Sequence, residues 1–126
     1  MALNSAYEEL GTRFVQQYYD YFDKRSSSSA ELAALYADEA MLTFDGELRL
    51  GRQAIMTKLL GLSFTTDARL LTSVDSQPLP DEGVLVTVIG KLSVDDSVIN
   101  YSDTFVLAYV GKGLAITQHI FRTVTA

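Results

Sequence analysis

Two side chains in this sequence are of the kind that moves protons. One is His119, the single histidine; the other is Asp103, set between Tyr101 and Phe105 in an alternating apolar pattern. An ionisable group among apolar neighbours has its acidity set by burial, which is how a general acid or base is tuned. More commonly such a group is a satisfied structural one, or lies between subunits. Nothing in the spacing puts a carboxylate beside His119, and strand alternation groups it with Ala115, Thr117 and Phe121. A catalytic His–carboxylate pair is therefore not expected. There are no cysteines, which excludes disulfides, thiolate metal sites and a Cys nucleophile. A single histidine also excludes a multi-histidine metal centre built within one chain. Gly111-Lys112-Gly113 lacks the spacing of a phosphate-binding loop and reads as a hairpin turn.

The remaining reactive feature is charge. Sixteen acidic residues against ten basic give a net charge of −6, the wrong sign for a phosphate backbone and the right one for a basic protein surface. Asp45 precedes Gly46, and Asp95 with Asp96 precedes Ser97. Acidic residues at such turns are by default solvated turn-formers, favoured for backbone reasons.

These residues need a scaffold. At 126 residues the chain fits one domain, 1–126, large enough to bury a core without metal or disulfide. Ser5 and Glu8 have capping-box spacing, and Leu10, Phe14, Tyr18 and Phe22, flanked by Val15 and Tyr19, form the apolar stripe of a long first helix. Ser26 to Ser29 break it. Ser28 and Glu31 repeat the cap spacing for a short helix carrying Leu32, Leu35 and Tyr36. A third helix is expected from Gly51 to Gly61, burying Ile55 and Leu59, with Leu62 beyond. Between the second and third helices, Met41–Phe44 and Glu47–Leu50 flank Asp45-Gly46, a strong hairpin signal.

After Gly61 the period changes to two. Arg69–Gln77, Val84–Leu92, Ile99–Val110 and Leu114–Val124 read as four long antiparallel strands. The expected fold is α+β: a curved antiparallel sheet wrapped over a long N-terminal helix, with two shorter helices. In Ile99–Val110 one face carries Ile99, Tyr101, Asp103, Phe105, Leu107 and Tyr109; the other carries Val106, Ala108 and Val110 among small polar residues. Both faces need cover, and a second subunit is the simplest cover for the second. Met1 to Ala6 has neither the basic start nor the apolar run of a secretory signal, and no segment is apolar for ~18 residues. A cytosolic or nuclear setting without a membrane is the expectation.

In this order, Phe14-Val15-Gln16-Gln17-Tyr18-Tyr19, Leu42-Thr43-Phe44-Asp45-Gly46, Gly51-Arg52-Gln53-Ala54-Ile55 and Leu62-Ser63-Phe64 resemble the nuclear transport factor 2 family. Asp75-Ser76-Gln77-Pro78, Gly90-Lys91-Leu92, Asp95-Asp96 and Phe121-Arg122 continue the likeness, which runs from about Tyr7 to Thr123. No single piece is specific; the collinear set is. The resemblance implies a cone-shaped, cystatin-like fold and a homodimer formed through the open sheet face, with Val106 and Ala108 turned to the partner. It also implies a carrier that binds the GDP form of the small GTPase Ran and phenylalanine-glycine repeat nucleoporins. No cofactor and no nucleic acid are implied, and the setting would be cytoplasm and nucleus, concentrated at the nuclear pore.

By the same resemblance, Asp45 and Asp95 contact basic residues of Ran, Asp96 sits beside the family's second acidic position (here Ser97), and Arg69 adds a fixed positive charge by that rim. Phe44, Leu62 and Phe64 would line a cavity at the mouth of the cone that takes an aromatic side chain; their plain alternative is core. Tyr7 would grip a pore repeat; its plain alternative is a staple on the first helix. Two other functions stay open: a subunit that pairs with a messenger-RNA export factor through the same sheet face, and a small-molecule isomerase or dehydratase of related fold.

Overall fold

A computed structural model describes residues 3–124. The chain runs α1 (Tyr7–Asp23), α2 (Ser29–Ala34), β1 (Tyr36–Phe44), β2 (Glu47–Leu50) and α3 (Arg52–Leu60). It continues as β3 (Ala68–Pro78), a short 3-10 turn (Pro80–Glu82), β4 (Val84–Val94), β5 (Ser97–Val110) and β6 (Gly113–Val124). The six strands form one curved sheet in the order β2-β1-β6-β5-β4-β3. The α+β expectation holds, with one change: β1 pairs with β6 in parallel, so the sheet is mixed. A parallel neighbour needs a long crossover, and α3 with β3, β4 and β5 supplies it.

The helix starts differ from the cap reading. Ala6 is the N-cap of α1 and Ser28 that of α2, and neither makes a side-chain cap bond. Asn4 Oδ1 instead accepts from the Ala6 N–H. The buried face of α1 is Gly11, Val15, Tyr18, Tyr19 and Phe22, with Leu10 and Phe14 half-buried at its edge. Tyr36 is the first residue of β1 and not part of α2, because Arg52 binds its carbonyl through Nε and Nη2 at 2.9 and 2.7 Å and pins the strand start.

Strand alternation holds along β5: Tyr101, Asp103, Phe105 and Leu107 are buried, whereas Ser102, Thr104, Val106 and Ala108 are half-exposed on the other face. Along β6 it fails. The register moves from Val106↔Gln118 to Leu107↔Ile116, so Thr117 is an extra residue in the ladder. A bulge shifts the period by one, and Ile116, not Ala115 or Thr117, shares the buried face with His119.

Gly90 lies opposite a second bulge, between Leu71 and Ser73 of β3. A Cβ there would stand 2.6 Å from Tyr101 Oη and 2.8 Å from the Leu70 carbonyl. Backbone cannot yield as a flexible side chain does, so Gly90→Ala should cost about 1–3 kcal/mol. Chemical denaturation of wild type and variant measures this, with an unchanged slope if only stability moves.

Candidate functional site

Three elements converge inside the cone on one carboxylate. Asp103 on β5 accepts from Tyr19 Oη of α1 at 2.6 Å and from His119 Nε2 of β6 at 2.6 Å. With Nε2–H given to Asp103, His119 Nδ1 accepts from Tyr36 Oη at 2.9 Å, and Tyr36 accepts from Tyr18 at 2.8 Å. Asp103 and His119 are each 3% exposed. Sequence spacing does not reveal this pair. They are cross-strand diagonals that meet only because the Thr117 bulge turns His119 inward. Every member has a partner, and the His119 ring also stacks on Phe105 with centroids 4.2 Å apart.

The space beside this network is about 10 Å³, walled by Tyr18, Tyr19, Phe44, Phe64, Arg69 and Phe121 among others. That is about the room one water needs. A ring-sized group would enter beside the pair only with movement of the lining side chains. Nor do three His or acidic side chains gather into a metal site among the described residues.

The mouth of the cone is the end of the sheet where this space lies. Asp45 and Gly46 form the two-residue loop between β1 and β2, with φ of 47° and 87°. Asp95 and Asp96 form the loop between β4 and β5, with φ of 47° and 65°. Two residues at positive φ make the hairpin turn whose twist matches the strands, and Asp tolerates that region better than most residues. Both turns lie at the same end of the sheet. The Asp45 N–H donates to the Phe121 carbonyl, Thr123 pairs with Tyr101, and Asn100 pairs with both Val124 and Lys91. All three aspartates are exposed. Asp45 is more than solvated punctuation: its Oδ1 accepts from the Thr123 N–H at 2.7 Å and from the Thr123 hydroxyl at 3.1 Å. Asp67, which the sequence did not single out, joins the rim and accepts from the Asp95 N–H at 3.2 Å.

Arg69 does not act as a free charge beside this rim. Its guanidinium binds Asp23 through Nε at 2.9 Å and Nη2 at 2.5 Å, donates to Tyr101 Oη at 2.8 Å and lies 3.9 Å from the Tyr19 ring centroid. Burial works against its charge, but the bonds to Asp23 and the neighbouring Tyr101 outweigh that and raise its pKa. It is a neutralised strut at the end of α1. Phe44 is buried and stacks on Phe121 with centroids 4.4 Å apart, whereas Leu62 and Phe64 are half-buried on the segment after α3. Phe44 and Phe64 line the 10 Å³ space; Leu62 lies outside it, on a shallow neighbouring groove with Leu60 and Phe64.

Tyr7 is half-buried against the core, its hydroxyl 3.3 Å from Glu8 Oε1. It stands at the other end of α1, about 24 Å from Asp23 at 1.5 Å per residue. Val106 and Ala108 sit half-exposed on the outer sheet face, where Ile89 and Ile120 are 49% and 52% exposed.

This topology and the placement of the collinear stretches coincide with a known family. Residues 10–123 match the nuclear transport factor 2 (NTF2) domain. The chain belongs to the nuclear transport factor 2 domain family. A nuclear transport factor 2 of Neurospora crassa is 39% identical over 106 residues, 82% of this chain and 83% of that one. The nuclear transport factor 2 of Schizosaccharomyces pombe is 34% identical over 119 residues, 92% of this chain and 94% of that one. The structure of nuclear transport factor 2 from Cryptosporidium parvum superposes with a TM-score of 0.87 at 31% identity, covering 98% of this chain and 99% of the other.

The buried network makes a titration prediction. Burial, with the charge of Asp103 as a further cause, pushes the Tyr18 and Tyr19 phenols up; burial likewise raises Tyr36 and Tyr101. The folded chain thus keeps protons that an unfolded chain releases near pH ~10. Stability is present below that pH and should fall as pH rises past it. Phenolate absorbance should show Tyr18, Tyr19, Tyr36 and Tyr101 ionising only together with loss of the fold, as followed by circular dichroism.

Proposed function

We propose that this chain is a nuclear transport carrier whose cargo is the GDP form of Ran, held at the mouth of the cone. One observation carries the reading: the tips of two separate hairpins bring Asp45, Asp95 and Asp96 to one end of the sheet, around the aromatic opening framed by Phe44 and Phe64. The names of the relatives support a role in nuclear transport. An acidic rim around an apolar centre suits a basic partner that offers an aromatic anchor. A phenyl ring needs on the order of 150 Å³, so it enters only as the Phe44 and Phe64 side chains swing aside. Leu62 then serves as flanking apolar surface. Selection of the GDP state follows if the partner's switch segments present that ring in one nucleotide state only. Directed transport needs no chemistry here, and every polar group of the Asp103–His119 network already has a partner within the chain, which suits a structural role better than that of an isomerase or dehydratase.

Tyr7, far from the mouth, is the proposed grip for phenylalanine-glycine repeats, so cargo and pore engage opposite ends of α1. The outer sheet face with Val106 and Ala108 is the proposed homodimer contact. The alternative of pairing with a messenger-RNA export factor uses that face too, yet leaves the acidic rim without a purpose.

Calorimetry with GDP-loaded Ran tests the rim. Asp95→Asn should weaken binding several-fold and Asp95→Lys more, by roughly tenfold or beyond, since attraction becomes repulsion. Salt should weaken the wild-type complex more than the Asn variant. Full affinity in the Lys variant would remove the rim from the site. The dimer contact is tested separately: Val106→Glu would bury an unpaired carboxylate, costing several kcal/mol. Sedimentation should report a monomer, and an unaltered dimer means that another surface is used.

A further inference from the structure

Arg25 lies four-carbonyl deep in the wall of the mouth and has no carboxylate partner within salt-bridge distance among the described residues. It is 7% exposed. Its Nε donates to the Leu59 carbonyl at 3.1 Å and Nη1 to the Phe22 carbonyl at 3.2 Å. Nη2 donates to the carbonyls of Leu62 at 3.3 Å and Phe64 at 2.5 Å. The guanidinium plane is flanked by two rings, Phe22 at 4.7 Å and Phe64 at 5.1 Å. Burial lowers its pKa, with the charge of Asp23 opposing.

The pattern is specific. Phe22 and Leu59 lie in the last turns of α1 and α3, at the negative ends of the helix dipoles, where their carbonyls accept tight-turn N–H groups from Arg25 and Leu62 and keep a second lone pair for the guanidinium. One cation therefore ties two helix ends together and holds the backbone of the segment that carries Leu62 and Phe64. That segment has little else: Leu62 N–H reaches Leu59 O at 3.3 Å, and the next backbone bond is Asp67 N–H to Ser93 O at 2.8 Å. A planar fork can serve these diverging acceptors and stack on both rings; an ammonium cannot.

We propose that Arg25 is the positioning residue of the mouth: it fixes the backbone of residues 62–64, so that the opening admits a ring by side-chain rotation against a wall that is already ordered. This rests on the reading of the mouth as the cargo site. A partner then meets little of the ordering cost that a loose wall would impose.

Two measurements decide it on Arg25→Gln. In hydrogen–deuterium exchange, amides of 61–67 should exchange faster while those of β5 keep their protection. Unchanged exchange in 61–67, or equal loosening throughout, overturns the proposal, and this result is independent of any partner. In calorimetry with GDP-loaded Ran, affinity should fall about tenfold, and Arg25→Lys should not restore it. Combined with Phe64→Leu, the same change should cost under about twofold, since Arg25 acts through that wall; a fully additive loss overturns the proposal. Arg25→Lys keeps the charge and stem, and is read by the same criteria if the Gln variant does not fold. Wild-type protein that fails to bind Ran refutes the cargo reading, while the exchange pattern still decides for or against Arg25.

Discussion

The structure depends on keeping one carboxylate satisfied out of water. Asp103 sits inside the cone, where an unpaired charge is costly, and takes donors from α1 and β6. Removing one partner from such a buried pair typically costs 3–5 kcal/mol, far more than a surface ion pair is worth. That requirement sets the rotation of α1, because Tyr19 must reach β5. It also sets the register of β6, because only the Thr117 bulge turns His119 toward Asp103. Through Tyr36 and Tyr18 it extends to the first strand and back to the helix. A polar chain of this kind fixes one arrangement of helix on sheet where apolar packing alone would accept several.

With the interior committed to that network, the ends of the cone are left for recognition. At the mouth, Asp23 compensates Arg69 and Arg25 is buried among four carbonyls, while the exposed Asp45, Asp67, Asp95 and Asp96 gather on the rim, with Arg122 beside the Asp45-Gly46 turn. At the far end, half-buried Tyr7 stands beside the exposed Glu8 and Glu9 of the first helical turn. In the proposed reading the cargo and pore sites lie a helix length apart on α1, so two partners could be held at once. The sheet's outer face, with Ile89, Ile120, Val106 and Ala108, is the proposed contact for a second copy.

Much of this was legible in the sequence. The apolar spacing of α1, the Asp45-Gly46 hairpin and the alternation in β5 are local patterns, and the structure follows them. So are the acidic turn tips, since Asp is favoured where φ is positive. What was not legible depends on bulges and on distance. One extra residue at Thr117 inverts the facing of His119, and no alternation count reveals it. The Asp103–His119 pair, the Asp67 contact to Asp95 and the burial of Arg69 against Asp23 each join residues from separate elements. Arg25 stands next to four serines with no pattern to single it out, and only the meeting of two helix ends shows what it holds. The two Ser–Glu cap spacings were misleading for a related reason: the chain enters α1 and α2 in conformations that do not aim the serine hydroxyls at the helix.

If the mouth reads a nucleotide-dependent surface of Ran, the two nucleotide states of Ran must differ in their binding to it. Purified chain, immobilised through its C-terminus, is exposed to equal concentrations of GDP-loaded and GTP-loaded Ran, and retention is titrated for each. Saturable binding is expected for the GDP form, with binding of the GTP form at least about tenfold weaker. Equal affinity for both forms, or retention of neither, would contradict it.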